Sequence, residues 1–267
     1  MDTGQILADI LSNSSNRVHL IGVAGSGMSG LAGLLLALGH QVSGCDKVSN
    51  TEVDRLRGLG LEFAIPCHAE GVANADIIIY SSAIRPGNPD YDDAIRLGKQ
   101  MVRRADALAA IMHGKRGIVV AGMHGKTTTT AMAAHVLRHA GLHPSHYVGA
   151  EIPILGTNAN WDAEGEYMVA EGDESDGTIV LYHPEHAIIL NIEEEHLDYY
   201  ADLAAIEAVF VQLLSQTRGS VFYCADDANA TRLVSKRPRA ISFGFSENAD
   251  YRGLDIELKD FASVFCV

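Results

Sequence analysis

Residues 18–30 read Val18-His19-Leu20-Ile21-Gly22-Val23-Ala24-Gly25-Ser26-Gly27-Met28-Ser29-Gly30. An apolar run of this kind is a buried strand, and it passes through a glycine-rich turn into the apolar helical segment Met28 to Leu38, which Gly39 ends. Gln41 to Cys45 reads as the next strand, with Asp46 at its carboxyl end, and Ile77-Ile78-Ile79-Tyr80 as a further strand leading into Ser81-Ser82-Ala83-Ile84. Strands alternating with helices at this spacing predict a parallel, doubly wound α/β sheet. Ahead of it, Ile6 to Leu11 reads as a short amphipathic lead.

The pattern restarts at Gly117-Ile118-Val119-Val120-Ala121, followed by a second glycine loop and a helix from Lys126 to Ala140. Two strand–loop–helix starts imply two nucleotide-class domains, 1–113 and 114–267, meeting near His113-Gly114-Lys115-Arg116. Later strands are expected at Tyr167 to Ala170, His186 to Leu190 and Val221 to Cys224. The tail from Tyr251 alternates like a strand and stops at Val267 without the look of a domain's end, so the expectation is a piece of a longer protein.

Charge and composition narrow the function classes. The formal charge of −14 argues against nucleic acid as the main partner. No stretch has the roughly 18 apolar residues of a membrane span, and no basic-led apolar segment opens the chain, so a cytoplasmic protein is expected. Cys45, Cys67, Cys224 and Cys266 form no CxxC pair, which predicts reduced thiols rather than a zinc site or a disulfide framework. Residues 115–267 carry 22 of the 34 acidic side chains, many of them in two short clusters.

The two glycine loops point to phosphates. Gly25-Ser26-Gly27-Met28-Ser29-Gly30 fits G-x-G-x-x-G between strand and helix, where glycines let the backbone approach a diphosphate at the helix N-terminus. Asp46 lies where a ribose-binding acid belongs, although the same glycines also serve strand–helix packing. Gly122-Met123-His124-Gly125-Lys126-Thr127-Thr128 is sharper. A Gly-Lys-Thr after a buried strand offers backbone donors, an ammonium for the β and γ phosphates and a hydroxyl for Mg²⁺, in a loop shorter than the Walker A pattern.

Glu171-Gly172-Asp173-Glu174-Ser175-Asp176-Gly177 then gathers four carboxylates. At ~7 Å and an effective dielectric of ~20, each pair repels by ~2 kcal/mol, which either a solvated loop or a divalent cation relieves. Asn191-Ile192-Glu193-Glu194-Glu195-His196-Leu197-Asp198 also follows a strand, in the same layer. Two metal ions bridging ATP to an acyl substrate need about this ligand set.

In this combination and order, His19 to Gly30, Val42 to Asp46, Ser81 to Ile84, Ala121 to Thr130, Glu171 to Asp176 and Asn191 to Asp198 resemble the Mur ligase family, in its alanine-adding branch. The resemblance runs from about residue 17 to the end of the chain. It implies a Rossmann-like parallel-sheet domain that binds the UDP part of UDP-N-acetylmuramate, followed by an incomplete P-loop α/β central domain that binds ATP, with a third domain beyond. By the resemblance, Gly25, Ser26, Gly27 and Met28 hold the diphosphate, while Asp46, Ser81 and Ser82 line the nucleoside side. Gly122, His124, Gly125, Lys126, Thr127 and Thr128 bind ATP; Thr127 and Glu171 take one Mg²⁺ and His196 a second; Lys126, Glu171 and His196 are catalytic. The implied reaction joins L-alanine to UDP-N-acetylmuramate through an acyl phosphate, in peptidoglycan precursor synthesis. Several branches of the family use a carbamylated lysine at the second metal, but no lysine lies between Lys126 and Lys236 here. The resemblance also implies that these residues alone bind UDP-sugar, hold ATP weakly and turn over little. Two alternatives stay open: a ligase of the same family that recycles muramoyl peptides, and a non-catalytic UDP-sugar-binding module. A nicotinamide-dependent dehydrogenase would explain the first loop but leave the second loop and both acidic clusters without purpose.

Overall fold

A computed structural model describes residues 16–267 apart from 68, 176 and 261. The amphipathic lead Ile6 to Leu11 lies outside the described residues. Contacts divide the chain into two units, one formed by the residues up to 115 with 131–169, the other by 116–130 with 170–267.

The first unit is built on a five-stranded parallel sheet in the order β3-β2-β1-β4-β5. Its strands are β1 (Arg17–Ile21), β2 (Gln41–Cys45), β3 (Glu62–Ala64), β4 (Ile77–Tyr80) and β5 (Gln100–Arg103). The central strands are apolar on both faces because helices cover both: Val18, Leu20, Ile21, Ile78 and Ile79 are fully buried. Helix α1 (Ser26–Ala37) returns over the sheet on Met28, Leu31, Leu34 and Leu35 and ends before Gly39, whose φ of +91° suits glycine. Helix α2 (Thr51–Gly58) starts on the Asn50 side chain, which accepts from the Val53 amide, and α3 spans Ala69–Asn74. Helix α4 (Pro89–Arg96) combines an Asn88 cap with proline in its first turn, and α5 (Arg104–His113) is largely buried. The two short strands β7 (Ser145–Tyr147) and β8 (Ala159–Asn160) pair antiparallel in the same unit.

The second unit has the parallel strands β6 (Arg116–Ala121), β10 (His186–Ile189), β11 (Val221–Cys224), β12 (Ala240–Gly244) and β13 (Tyr251–Arg252), each hydrogen-bonded to the next in the order β13-β12-β11-β10-β6. Strand β9 (Tyr167–Glu171) runs beside β6 and delivers the first acidic cluster at its end. Helix α6 (Lys126–His139) follows the second glycine loop, while α7 (Leu203–Gln216) and α8 (Ala228–Val234) each start on an aspartate cap. The tail folds into the exposed antiparallel hairpin of β14 (Leu254–Lys259) and β15 (Ala262–Cys266). Among the described residues, no helix is long and apolar enough to cross a membrane.

Contrary to the expectation from their spacing, the cysteines are not all reduced thiols. Cys45 and Cys67 are joined in a disulfide, with their Cα atoms 5.0 Å apart, while Cys224 and Cys266 are free. The pair is 22 residues apart in sequence, but Cys45 at the end of β2 lies in register with Ala64 of β3, which brings the chain leaving β3 alongside it.

His146 on β7 is fully buried and donates from Nε2 to the Thr157 carbonyl at 3.2 Å. Burial pushes its pKa down to about 4, with Arg138 adding in the same direction and the Thr157 carbonyl opposing. A pKa below the unfolded value means that this stability is complete above pH ~6.5 and is lost as pH falls toward 4, by at most ~3 kcal/mol. Denaturation midpoints of the wild type should fall more steeply over that window than those of His146→Asn; parallel pH profiles would contradict the assignment.

Candidate functional site

In the first unit, the loop after β1 is built on the end of β2. The Gly22 and Val23 amides both donate to the Cys45 carbonyl, at 2.9 and 3.1 Å. The Ala24 amide donates to Asp46 Oδ2 at 2.9 Å, and the Asn50 side-chain amide donates to the Ala24 carbonyl at 2.9 Å. The second oxygen of Asp46 accepts from its neighbour Lys47, so the carboxylate expected on a ribose braces the loop backbone here. Gly25 and Ser26 are exposed at the N-terminus of α1, and a side chain at Gly25 would meet only the Gly22 carbonyl.

Gly27 and Gly30 are packing glycines: a Cβ at either would come within 3.0–3.1 Å of the Tyr147 side chain. Tyr147 donates to the Gly27 carbonyl at 2.9 Å, and Asn158 to the Ser26 carbonyl at 2.8 Å. The Met28 side chain is buried, leaving only its main chain near the loop. Ile21 pairs with both Cys45 and Tyr80, so residues 22–26, Asp46, Ser81 and Ser82 all leave the same carboxyl edge of the sheet. That edge, with open helix N–H groups, is where doubly wound sheets take anionic ligands.

In the second unit, Gly122 has φ +145°, and a Cβ there would lie 3.0 Å from the Asn191 amide and the Leu190 Cβ. Glycine is required both by conformation and by this close approach. Asn191 clamps the loop by accepting from the His124 amide at 2.8 Å and donating to the His124 carbonyl at 3.0 Å. Lys126, first residue of α6, donates to the Gly122 and Met123 carbonyls at 2.6 and 3.2 Å and to Glu174 Oε1 at 2.6 Å. The Thr127 hydroxyl lies 3.1 Å from both Glu171 oxygens. His196 Nε2 is 3.5 Å from Glu174 Oε1, and His196 adopts φ +55°, an uncommon conformation for a non-glycine residue. Lys126, Thr127, Glu171 and His196 therefore come together. His124 and Thr128 are exposed beside them, with His124 Nε2 3.8 Å from Glu195.

Glu174 joins this set, although its residue type and position gave no reason to prefer it over its acidic neighbours. Its side chain is 1% exposed and Oε2 has no hydrogen-bond partner among the described residues. Burial pushes its pKa up, against the hydrogen bond and charge of Lys126, which pull it down. Asp173 is instead occupied by the Ser175 hydroxyl at 2.6 Å, and Asp176 lies outside the described residues. Nothing in the sequence around Asn191 marks its clamp on the loop, which arises only in the fold.

The donor set fits hard cations. A hydroxyl and a carboxylate within 3.1 Å of each other suit Mg²⁺, which takes one or two protein oxygens and completes its shell with water and phosphate. The imidazole of His196, 3.5 Å from the Glu174 carboxylate, could hold a second ion. The ammonium of Lys126 at the mouth of the loop could take polyphosphate oxygens.

Comparison with known proteins finds matches to both parts of the chain. Residues 17–116 match the family described as "Mur ligase family, catalytic domain" and residues 120–267 the "Mur ligase middle domain". A UDP-N-acetylmuramate–L-alanine ligase of Geobacter sp. (strain M21) is 40% identical over 252 residues, covering 93% of this chain and 54% of the relative. The chain thus spans about half the length of the curated relatives it matches. Among solved structures, the UDP-N-acetylmuramate:L-alanyl-gamma-D-glutamyl-meso-diaminopimelate ligase of Neisseria meningitides superposes with TM-score 0.82 at 27% identity, over 91% of this chain and 82% of that one. The UDP-N-acetylmuramate-alanine ligase of Thermotoga maritima superposes with TM-score 0.80 at 27% identity, over 89% and 54%.

Removing the clamp should be measurable. Asn191→Ala deletes both side-chain bonds to the His124 backbone and is expected to cost about 1–3 kcal/mol in urea unfolding, with faster hydrogen exchange at the His124 amide. Unchanged exchange there would show that the loop holds itself.

Proposed function

Because this chain belongs to the Mur ligase family, we propose that it carries the nucleotide machinery of an ATP-dependent acid–amino-acid ligase that joins L-alanine to UDP-N-acetylmuramate in peptidoglycan precursor synthesis. The observation that carries the reading is the convergence of Lys126, Thr127, Glu171, Glu174 and His196 on one glycine loop.

The UDP group lies at the carboxyl edge of the first sheet, its diphosphate against the α1 N-terminus at Gly25 to Met28, with Ser81 and Ser82 toward the nucleoside and Asp46 holding the loop in shape. ATP phosphates lie over Gly122 to Thr128, with the exposed His124 beside them. Lys126 exchanges its carbonyl partners for phosphate oxygens, and Glu174 keeps the ammonium aimed into the loop. Magnesium held by Thr127 and Glu171, and a second ion beside His196, would neutralise phosphate charge and polarise the transferring group.

In the first chemical step, a lactyl carboxylate oxygen of the sugar attacks the γ-phosphorus and the bond to the β-phosphate oxygen breaks, giving acyl phosphate and ADP. In the second, the neutral alanine amine attacks the acyl carbon, phosphate leaves, and the amine gives up a proton to form the amide. Lys126 stabilises the charge that gathers on the transferring phosphoryl oxygens in the first step. The cytoplasm is the compartment that fits ATP and nucleotide-sugar substrates. The likeness to the Neisseria ligase favours a second reading, the same chemistry with a peptide in place of alanine.

The test is phosphate release by the enzyme with its full catalytic complement. Release from ATP should require Mg²⁺, UDP-N-acetylmuramate and L-alanine together, and Lys126→Ala should lower kcat by about 10²–10³-fold or more. Release with a muramoyl-accepting peptide but not with alanine would select the second reading. UDP-sugar binding indifferent to ATP and Mg²⁺, with no phosphate release, would leave a non-catalytic binding module.

A further inference from the structure

A second cluster of ligand-type side chains lies in the first unit, beneath the base of the first glycine loop. His19 of β1, Cys45 at the end of β2 and Asp90 in the first turn of α4 are all buried, and one donor atom from each lies within 4.8 Å of the others. Asp90 Oδ2 is 3.3 Å from His19 Nε2 and 2.8 Å from Cys45 Sγ, and Asp90 Oδ1 has no hydrogen-bond partner among the described residues. Cys67 adjoins the cluster through Cys45, its Cα 5.0 Å from that of Cys45.

This arrangement is incomplete as a purely structural cluster. A disulfide sulfur carries no hydrogen, so the 2.8 Å approach of Cys45 Sγ to a carboxylate oxygen is not a hydrogen bond while Cys45 is paired with Cys67. Among the described residues, a carboxylate with no exposure is left with at most one donor, His19 Nε2. Buried charges are ordinarily paired, multiply hydrogen-bonded or bound to metal. With both sulfurs reduced, the Cys45 thiol, an imidazole and a carboxylate lie together with the Cys67 thiol adjoining Cys45, a donor set that a borderline-soft divalent cation draws together.

The surroundings are those of a metal site. His19 Nδ1 faces the Ser43 hydroxyl at 2.9 Å, the outer contact that fixes a ligating imidazole and leaves Nε2 for the metal. The ring is held in place by Gly71 of α3, where a Cβ would come within 2.7 Å of it. A cavity of about 780 Å³ lined by His19, Ser43, Cys45, Glu62 and Glu70, among others, provides an approach for an ion.

We propose that the reduced chain binds one Zn²⁺-class ion through His19 Nε2, Cys45 Sγ, Asp90 Oδ2 and Cys67 Sγ, and that the Cys45–Cys67 disulfide is the oxidised, metal-free form of the same site. Binding takes both sulfurs as thiolates and releases their protons. Oxidation by a small-molecule disulfide transfers two electrons from the thiolates to it, forms the protein S–S bond, and releases two small thiolates and the metal ion. The site reaches function through Cys45, whose carbonyl receives both the Gly22 and Val23 amides, so either closed form holds the base of the loop. This inference is independent of the ligase reading.

The experiment is Co²⁺ titration of the full chain kept reduced with a phosphine, with its free thiols counted beforehand. One equivalent should produce thiolate-to-cobalt charge-transfer absorption and the visible bands of tetrahedral cobalt, both bleached by Zn²⁺. Both signals should persist in the Cys224→Ser, Cys266→Ser double variant, disappear in Cys45→Ser, and be absent from the oxidised wild-type chain, a comparison that needs no substitution. Ser43→Ala should weaken binding by about 10–100-fold. Magnesium-type ligands at Thr127 and Glu171 carry no sulfur and give no such charge transfer. A reduced chain with its thiols free and no charge-transfer band, or a band that survives Cys45→Ser, overturns the proposal.

Discussion

Lys126 and Glu174 meet at 2.6 Å in a place where the carboxylate is almost sealed from water. An ionised carboxylate stripped of solvent is unstable by several kcal/mol unless a cation compensates, and an ammonium held by two backbone carbonyls supplies one. The pair therefore fixes where the lysine head can be, and with it the shape of the turn between β6 and α6. Everything else in the second unit is arranged around that requirement. Gly122 lets the backbone pass against Asn191, Asn191 holds His124 from both sides, and β9 and β10 bring Glu171, Glu174 and His196 in from two directions.

A buried pair of this kind contributes little net stability, because desolvation offsets much of the attraction. Its value lies in preorganisation. A lysine already desolvated and aimed costs little to redirect onto an incoming polyphosphate, whereas a solvated lysine must first be ordered. The left-handed backbone of His196 fits the same pattern, since such conformations persist where the surrounding structure over-determines them. The first unit uses a different device, a loop hung from the Cys45 carbonyl and the Asp46 carboxylate, whose rigidity depends on the end of β2.

Much of this architecture was legible in the sequence, for a definite reason. Ile77–Tyr80, whose three isoleucines are buried, and Val221–Cys224, buried at Val221 and partly covered beyond it, are short apolar runs, and both were placed at their observed limits. The edge strands Glu62–Ala64 and Gln100–Arg103 escaped because they are only partly covered and carry no such run. The glycine loops were visible because each combines a fixed residue pattern with a strand before it and a helix after it. What the loops' neighbours do was not. Tertiary placement alone turns Asp46 onto the Ala24 amide, sends Glu174 inward while Asp173 bonds Ser175, and brings Cys67 to Cys45 through the β2–β3 register.

The proposed ligase activity requires one polyphosphate and its cations to occupy the ground between Lys126, Thr127, Glu171 and His196. The most direct measurement is anomalous diffraction from crystals grown with Mn²⁺ and a non-hydrolysable ATP analogue. A manganese peak is expected within coordination distance of Thr127 Oγ1, at about 2.0–2.3 Å, with Glu171 in its inner or outer sphere and Lys126 Nζ moved onto phosphate oxygen. An ordered nucleotide whose phosphates lie away from the 122–128 loop, with Lys126 still bound to the Gly122 carbonyl, would contradict it.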